Sequence, residues 1–157
     1  MAGTCVQAAS VARGCTADSQ EYRKLSGLMC WDAVAHCALL AGVISETNYR
    51  NLLGNENRLI GQNARAVDTA GAMALIPGGH ILGFFAGHKL IHAMITTGNG
   101  RAAGNKNDCV GIGHSVGWEE LNLVSGLKWA QGGGITAPGL LGPTRNVTIR
   151  HRPVTEL

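Results

Sequence analysis

The segment Lys89–Asp108 (KLIHAMITTGNGRAAGNKND) constrains this chain most, because an Asn-Gly pair stands between two strand-like runs. Both central residues of a two-residue type I′ turn need φ > 0, which Asn and Gly adopt readily, so Gly98-Asn99-Gly100-Arg101 predicts a β-hairpin. Carrying that register back from the turn places His92 opposite Asn107, side chains on one face and Cβ atoms about 5 Å apart. An imidazole held by a carboxamide is half of a thiol-hydrolase site. A cysteine at a helix start would complete it, and Cys30-Trp31 is the candidate.

The flanking sequence predicts an α+β fold, helices packed on an antiparallel sheet. From Leu28 to Ala41 the residues Trp31, Val34, Ala38 and Ala41 fall at helical spacing, and Gly42 is a stop, so Cys30 sits in the first turn. Ser45 is an N-cap for a second helix ending before Gly54, and a weaker helical stretch covers Glu56 to Ala70. The period then changes, and Ile81–Phe85, Lys89–Thr97, Arg101–Lys106, Cys109–Ile112, Ser115–Leu123 and Asn146–Arg152 read as strands. Residues 1–20 are small, polar and aperiodic, a flexible N-terminal arm or a short helix before one domain spanning 21–157. Gln131–Pro143 reads as a long loop able to flank a site.

At 157 residues the chain can bury a core without a disulfide or metal scaffold. A net charge of +3 and only three Trp, two Tyr and two Phe give little with which to hold phosphates or stack bases, so no nucleic-acid partner is expected. The five cysteines form no Cys-x-x-Cys, which excludes zinc ribbons and fits a reducing workplace. No apolar run is long enough to span a membrane, and the N-terminus has no basic start followed by an apolar core.

A thiol attacks as thiolate, and a helix N-terminus and a neighbouring imidazolium both favour that form. His92 would serve as base for Cys30 and then as acid for the leaving amine, with Asn107 holding the working tautomer. The oxyanion would meet the Cys30 backbone N–H and a donor before the helix, Gln20 or Ser26.

Cys30-Trp31 at a helix start, His92-Ala93-Met94-Ile95 running into Gly98-Asn99-Gly100, and Asn105-Lys106-Asn107-Asp108 beyond it resemble the papain-like cysteine hydrolase superfamily, over roughly Leu28 to Gly113. The same order occurs in NlpC-type cell-wall endopeptidases and in compact bacterial effector and toxin domains. The chain departs from papain in its shorter length and in carrying Lys24 where papain's oxyanion Gln stands. The histidine's third partner could be Asn105, Asn107 or Asp108; Asn107 is preferred, since Asp108 would need a bulge to reach the same face.

The resemblance implies a papain-like domain hydrolysing amides through a thioester with a Cys30–His92–Asn107 triad, and no cofactor or metal. A protease, a protein deamidase and a peptidoglycan amidase share that apparatus. It further implies a virulence effector or toxin made in a bacterial cytoplasm and delivered into a host or target cell without a cleavable signal peptide. Its partners would be a protein or peptide substrate and a cognate immunity protein or chaperone. The alternatives are an inactive binding module of the same fold and a Cys/His metal site built from Cys30, His88 and His92. Cys5, Cys15, Cys37 and Cys109 read as structural. His36 reads as a surface residue, the Gly-x-Gly repeats as turns, and Glu119 and Glu120 as pointing to opposite faces of a strand.

Overall fold

The computed structural model describes residues 3–15, 19–139 and 143–157. Its first helix, α1 (Cys5–Gly14), starts at a reciprocal cap: Thr4 Oγ1 accepts from the Gln7 N–H and Gln7 Oε1 accepts from the Thr4 N–H. Ala8, Ala9 and Ala12 are buried, and the Trp118 indole N–H donates to the Ala12 carbonyl. Of the two expectations for residues 1–20, the short helix is the one formed at 5–14, and it packs on the core through its alanines; residues 1–2 and 16–18 lie outside the described residues. Alanines carry so little apolar surface that the helical period was masked.

Helices α2 (Gln20–Gly27), α3 (Cys30–Leu40) and α4 (Glu46–Leu52) come next. Gly42, at φ 74°, ends α3, and the Ser45 hydroxyl caps α4 by accepting from the Asn48 N–H. The weak helix expected to Ala70 breaks into α5 (Glu56–Ile60), closed by Gly61 at φ 71°, then β1 (Arg65–Ala66) and α6 (Ala70–Ala74).

Strands β2 (His80–Ala86), β3 (Lys89–Gly98) and β4 (Arg101–Gly104) open the sheet. Asn99 and Gly100 take φ of 56° and 76°, as a type I′ turn requires. Beyond β4 a 3-10 turn, Asn107–Val110, occupies the place of an expected strand, bracketed by Lys106 and Gly111 in the left-handed region. The chain continues through β5 (Glu119–Asn122), α7 (Leu123–Gly126), β6 (Lys128–Trp129), β7 (Ile135–Ala137) and β8 (Arg145–Pro153). β7 lies inside the segment expected to be a loop, whose residues 140–142 are outside the described residues.

All pairings are antiparallel, in the order β5-β4-β3-β2-β8-β7-β6, with β1 also on β8. The fold is therefore α+β. Helices cover one face, where Ala33, Val34, Cys37 and Ala38 of α3 meet Ala93 and Ile95 of β3. The other face buries Phe84, Met94, Val110, Leu123 and Ile149. Each fully buried aliphatic or aromatic side chain contributes about 1.5–3 kcal/mol relative to exposure. Among the described residues, no helix is long and apolar enough to cross a membrane.

Strand β3 is irregular in two places. Phe84 pairs with His92 but Phe85 pairs with Leu90, so Ile91 is an extra residue. Nearer the turn, Thr96 pairs with Ala102 and Gly98 with Arg101, so Thr97 is a second one.

Candidate active site

Cys30 is the first residue of α3, after an N-cap, Met29, that makes no side-chain cap bond. The loop presenting it is clamped to the hairpin's outgoing end. Asn105 Nδ2 donates to the Leu25 and Leu28 carbonyls, both at 2.7 Å, and Lys106 Nζ donates to the Leu28 carbonyl at 3.1 Å. Asn105 is wholly buried, with its amide nitrogen held by this clamp and its Oδ1 left without a hydrogen-bond partner, and it does not bond His92.

The partner of His92 is Asn107. Asn107 Nδ2 donates to the Gly104 carbonyl at 2.8 Å and to Glu119 Oε1 at 3.2 Å, so the atom turned to His92 is the amide oxygen, and His92 Nε2 donates to it at 2.9 Å. Neutral His92 is thereby fixed as the Nε2–H tautomer, with its lone pair on Nδ1. Nδ1 is buried and has no hydrogen-bond partner.

The contact forms by a different route from the expected ladder. The bulge at Thr97 shifts the register by one, β4 stops at Gly104, and Asn107 is in the 3-10 turn instead of a strand. Lys106, at φ 53° and ψ 44°, turns the chain so that Asn107 reaches back. A Cβ on Gly104 would stand 2.9 Å from Asn107 Oδ1 and 3.0 Å from Met94 Cγ, so the missing side chain makes room for the amide. The Ile91 bulge does the complementary work. Neighbours in a regular strand point to opposite faces, yet Ile91 and His92 both line one cleft.

That cleft, of about 310 Å³, brings together Cys30, His92, Lys106, Asp108 and Cys109, with Met29, Trp31 and Ile91 as its apolar wall. Burial pushes the Cys30 thiol up to about 11, although the backbone N–H groups of Ala93, Trp31 and Cys30 and the Lys106 ammonium pull the other way. Burial likewise holds His92 down to about 4, against the Asn107 hydrogen bond and the Asp108 charge, which raise it. The lowering expected from the helix start is present but outweighed. At neutral pH the site holds a thiol and a neutral imidazole.

Three neighbours were not expected to belong to the site. Cys109 stands beside Cys30, and burial first, then Cys30 and Asp108, push its thiol up to about 12. Lys106 supplies the cleft's cation. Glu119 accepts from Asn107 and from the backbone and ring of His114, at 2.7 and 2.8 Å for the latter two, while Glu120, pointing the opposite way, pairs with Arg13 and Arg101. Adjacency to Asn107 in sequence was the signal for the first two.

Neither proposed oxyanion donor lines the cleft: Gln20 is exposed at the start of α2, and Ser26 Oγ is occupied by the Trp118 N–H. His88 is exposed in the β2–β3 turn and does not join Cys30 and His92. Among the described residues, no three His, Cys, Asp or Glu side chains are grouped to hold a metal ion. His36, expected at the surface, is half-buried with its ring edge-on to Tyr49 at 5.3 Å. No family model, no curated protein and no solved structure matches this chain.

Proposed function

We propose that this chain is a cysteine-dependent amide hydrolase of papain-like type, with Cys30 as nucleophile, His92 as base and acid, and Asn107 as the positioning residue. One observation carries the reading: His92 lines the cleft that holds Cys30, with its Nδ1 buried and without a partner while Asn107 fixes Nε2. A structural histidine at full burial would be expected to satisfy both nitrogens.

Because both groups rest neutral, deprotonation accompanies attack. The Cys30 proton passes to Nδ1 as sulfur adds to the amide carbon. The imidazolium keeps its Nε2–H on Asn107 and gives the new proton to the leaving nitrogen. Water then adds to the thioester, losing a proton to Nδ1, and the carboxylic acid leaves with the thiol restored. Neither charge forms alone in the buried site, which lowers the cost of each. The N–H groups at the start of α3 and the Lys106 ammonium meet the developing oxyanion in place of Gln20 or Ser26.

The substrate is a protein or peptide amide, and delivery as a bacterial effector or toxin, with an immunity protein or chaperone as partner, belongs to the same reading. Active protein and Cys30→Ser are incubated with host or bacterial extract and the products compared by mass spectrometry. New peptide termini identify a protease, a gain of about 1 Da at glutamine a deamidase, and released muropeptides an amidase. Identical product sets from both proteins would overturn the proposal.

A further inference from the structure

A second concave site lies at the other end of β2. Arg65 of β1, His80 of β2, His151 and Arg152 of β8, Asn63 and Glu156 surround a cavity of about 300 Å³, within the range of small-ligand pockets. His80 is separated from Phe84, the strand partner of His92, by roughly 13 Å along β2, so this site is distinct from the thiol cleft.

Its cations are arranged for an anion. Arg152 Nε and Nη2 donate to the Leu59 and Arg58 carbonyls at 3.1 and 3.0 Å, which fixes the guanidinium and leaves Nη1 uncommitted by those bonds. Arg65 is exposed and forms no salt bridge among the described residues. Among the described residues, Glu156 is the one carboxylate on the wall, set against two guanidinium groups.

The histidines add a proton-dependent element. His80 Nδ1 and His151 Nδ1 are 3.0 Å apart, so in the neutral pair one ring donates to the other. The donor ring then has a bare Nε2 and the acceptor ring an Nε2–H. One added proton converts the bare nitrogen into a second N–H without breaking the contact between the rings. A second proton would set two N–H groups against each other. The pair thus takes one charge readily and offers two donors when it does.

We propose that this cavity binds the phosphate group of a small molecule, held by Arg65, Arg152 and the His80–His151 pair, which takes up one proton as it binds. Guanidinium forks match phosphate oxygens in pairs, and the cavity exceeds one phosphate, leaving space for a small organic body. Burial, then His151 and Arg65, hold His80 below its ordinary value against the pull of Glu156, and burial, then Arg65, do the same for His151. An anion opposes those effects, so binding of a phosphate monoester tightens as pH falls from 7.5 to 6.5, before the ester gains its own proton near 6.

The test is titration of the full chain with inorganic phosphate, glycerol phosphate and acetate, followed by calorimetry and by the ring resonances of His80 and His151. Both phosphates are expected to bind, glycerol phosphate more tightly at pH 6.5 than at 7.5, acetate weakly, and Arg65→Gln to weaken both phosphates about tenfold, the loss of one charge-assisted contact. Glycerol phosphate exceeding inorganic phosphate identifies an organic phosphate ligand; equality identifies the free ion. Cys30→Ser is expected to bind phosphate normally. Unmoved histidine resonances at millimolar phosphate, an equal response to acetate, or unchanged affinity in Arg65→Gln each overturn the proposal. Exposed Arg65 can be replaced without disturbing the core, so the test does not depend on histidine variants that fold poorly.

Discussion

His92 Nε2 donates to Asn107 Oδ1 at 2.9 Å although the two are not strand partners, and Asn107 is itself anchored by Gly104 and Glu119. The amide therefore dictates which ring nitrogen carries the proton. Asn107→Ala is expected to lower turnover roughly 10- to 100-fold while substrate KM changes little, since Asn107 positions the base without touching substrate. Asn107→Asp keeps an acceptor oxygen for His92 but turns its other oxygen on the Gly104 carbonyl and the Glu119 carboxylate, so it should recover only a small part of the loss. Equal turnover in all three proteins would remove Asn107 from the mechanism.

Gly104→Ala probes the same contact from behind. The added methyl would press on Asn107 Oδ1, Met94 Cγ and the Ala93 carbonyl, the last at 3.4 Å, so the amide must retreat from His92. Turnover should fall as in Asn107→Ala, and the double variant should lose little more, because both remove one interaction. Fully additive losses would show that Gly104 acts elsewhere.

His92 also makes a signed contribution to acid stability. Its folded value of about 4 lies below the ordinary 6.5, so between those limits the unfolded chain binds more protons. Stability from this group is complete above pH 6.5 and is lost as pH falls towards 4, by about 3 kcal/mol. His36, His80 and His151, also lowered, add in the same direction. Denaturant unfolding of His92→Gln should show a shallower loss between pH 6.5 and 4 than the unmodified chain. Parallel curves would mean that His92 titrates normally when folded.

The α+β class and the Asn99-Gly100 turn were legible because both rest on local rules, the change of hydrophobic period and the demand for positive φ. Cys30 at a helix start was legible for the same reason. The pairing of His92 with Asn107 was reached through a ladder that the structure does not contain. Bulges at Ile91 and Thr97 depend on packing against both faces of β3, and no period in the sequence announces them. Helix α1 could not be decided against an arm because Ala8, Ala9 and Ala12 are core residues through close approach and not through size. The elevated Cys30 value was hidden too, since the helix start is written locally while burial is set by the tertiary fold, which brings β3 and the 3-10 turn to the same cleft.

Val34 tests how the Cys30 helix is seated. It is wholly buried on the face of α3 that meets β3, so Val34→Asp would bury a charge without a partner and should cost several kcal/mol. Thermal unfolding would show the domain largely unfolded at 37 °C. An unchanged melting temperature would mean that α3 presents another face to the sheet.

The resting protonation of Cys30 is open to direct measurement. With its thiol pushed up to about 11, only about one molecule in ten thousand carries the thiolate at pH 7. Iodoacetamide should therefore modify Cys30 slowly at neutral pH and about tenfold faster per unit as pH rises towards 11, with peptide mapping to separate it from the more accessible Cys5. Cys37, completely buried and pushed up further still, should remain unreacted throughout. His92→Gln should abolish hydrolysis yet leave the alkaline limb of the alkylation profile in place, because the base is needed for attack on substrate and not for a thiol already ionised by solvent. A rate for Cys30 that is flat between pH 6 and 9 would instead reveal a thiolate–imidazolium pair formed before substrate arrives, and the coupled deprotonation argued from the neutral resting site would have to be abandoned.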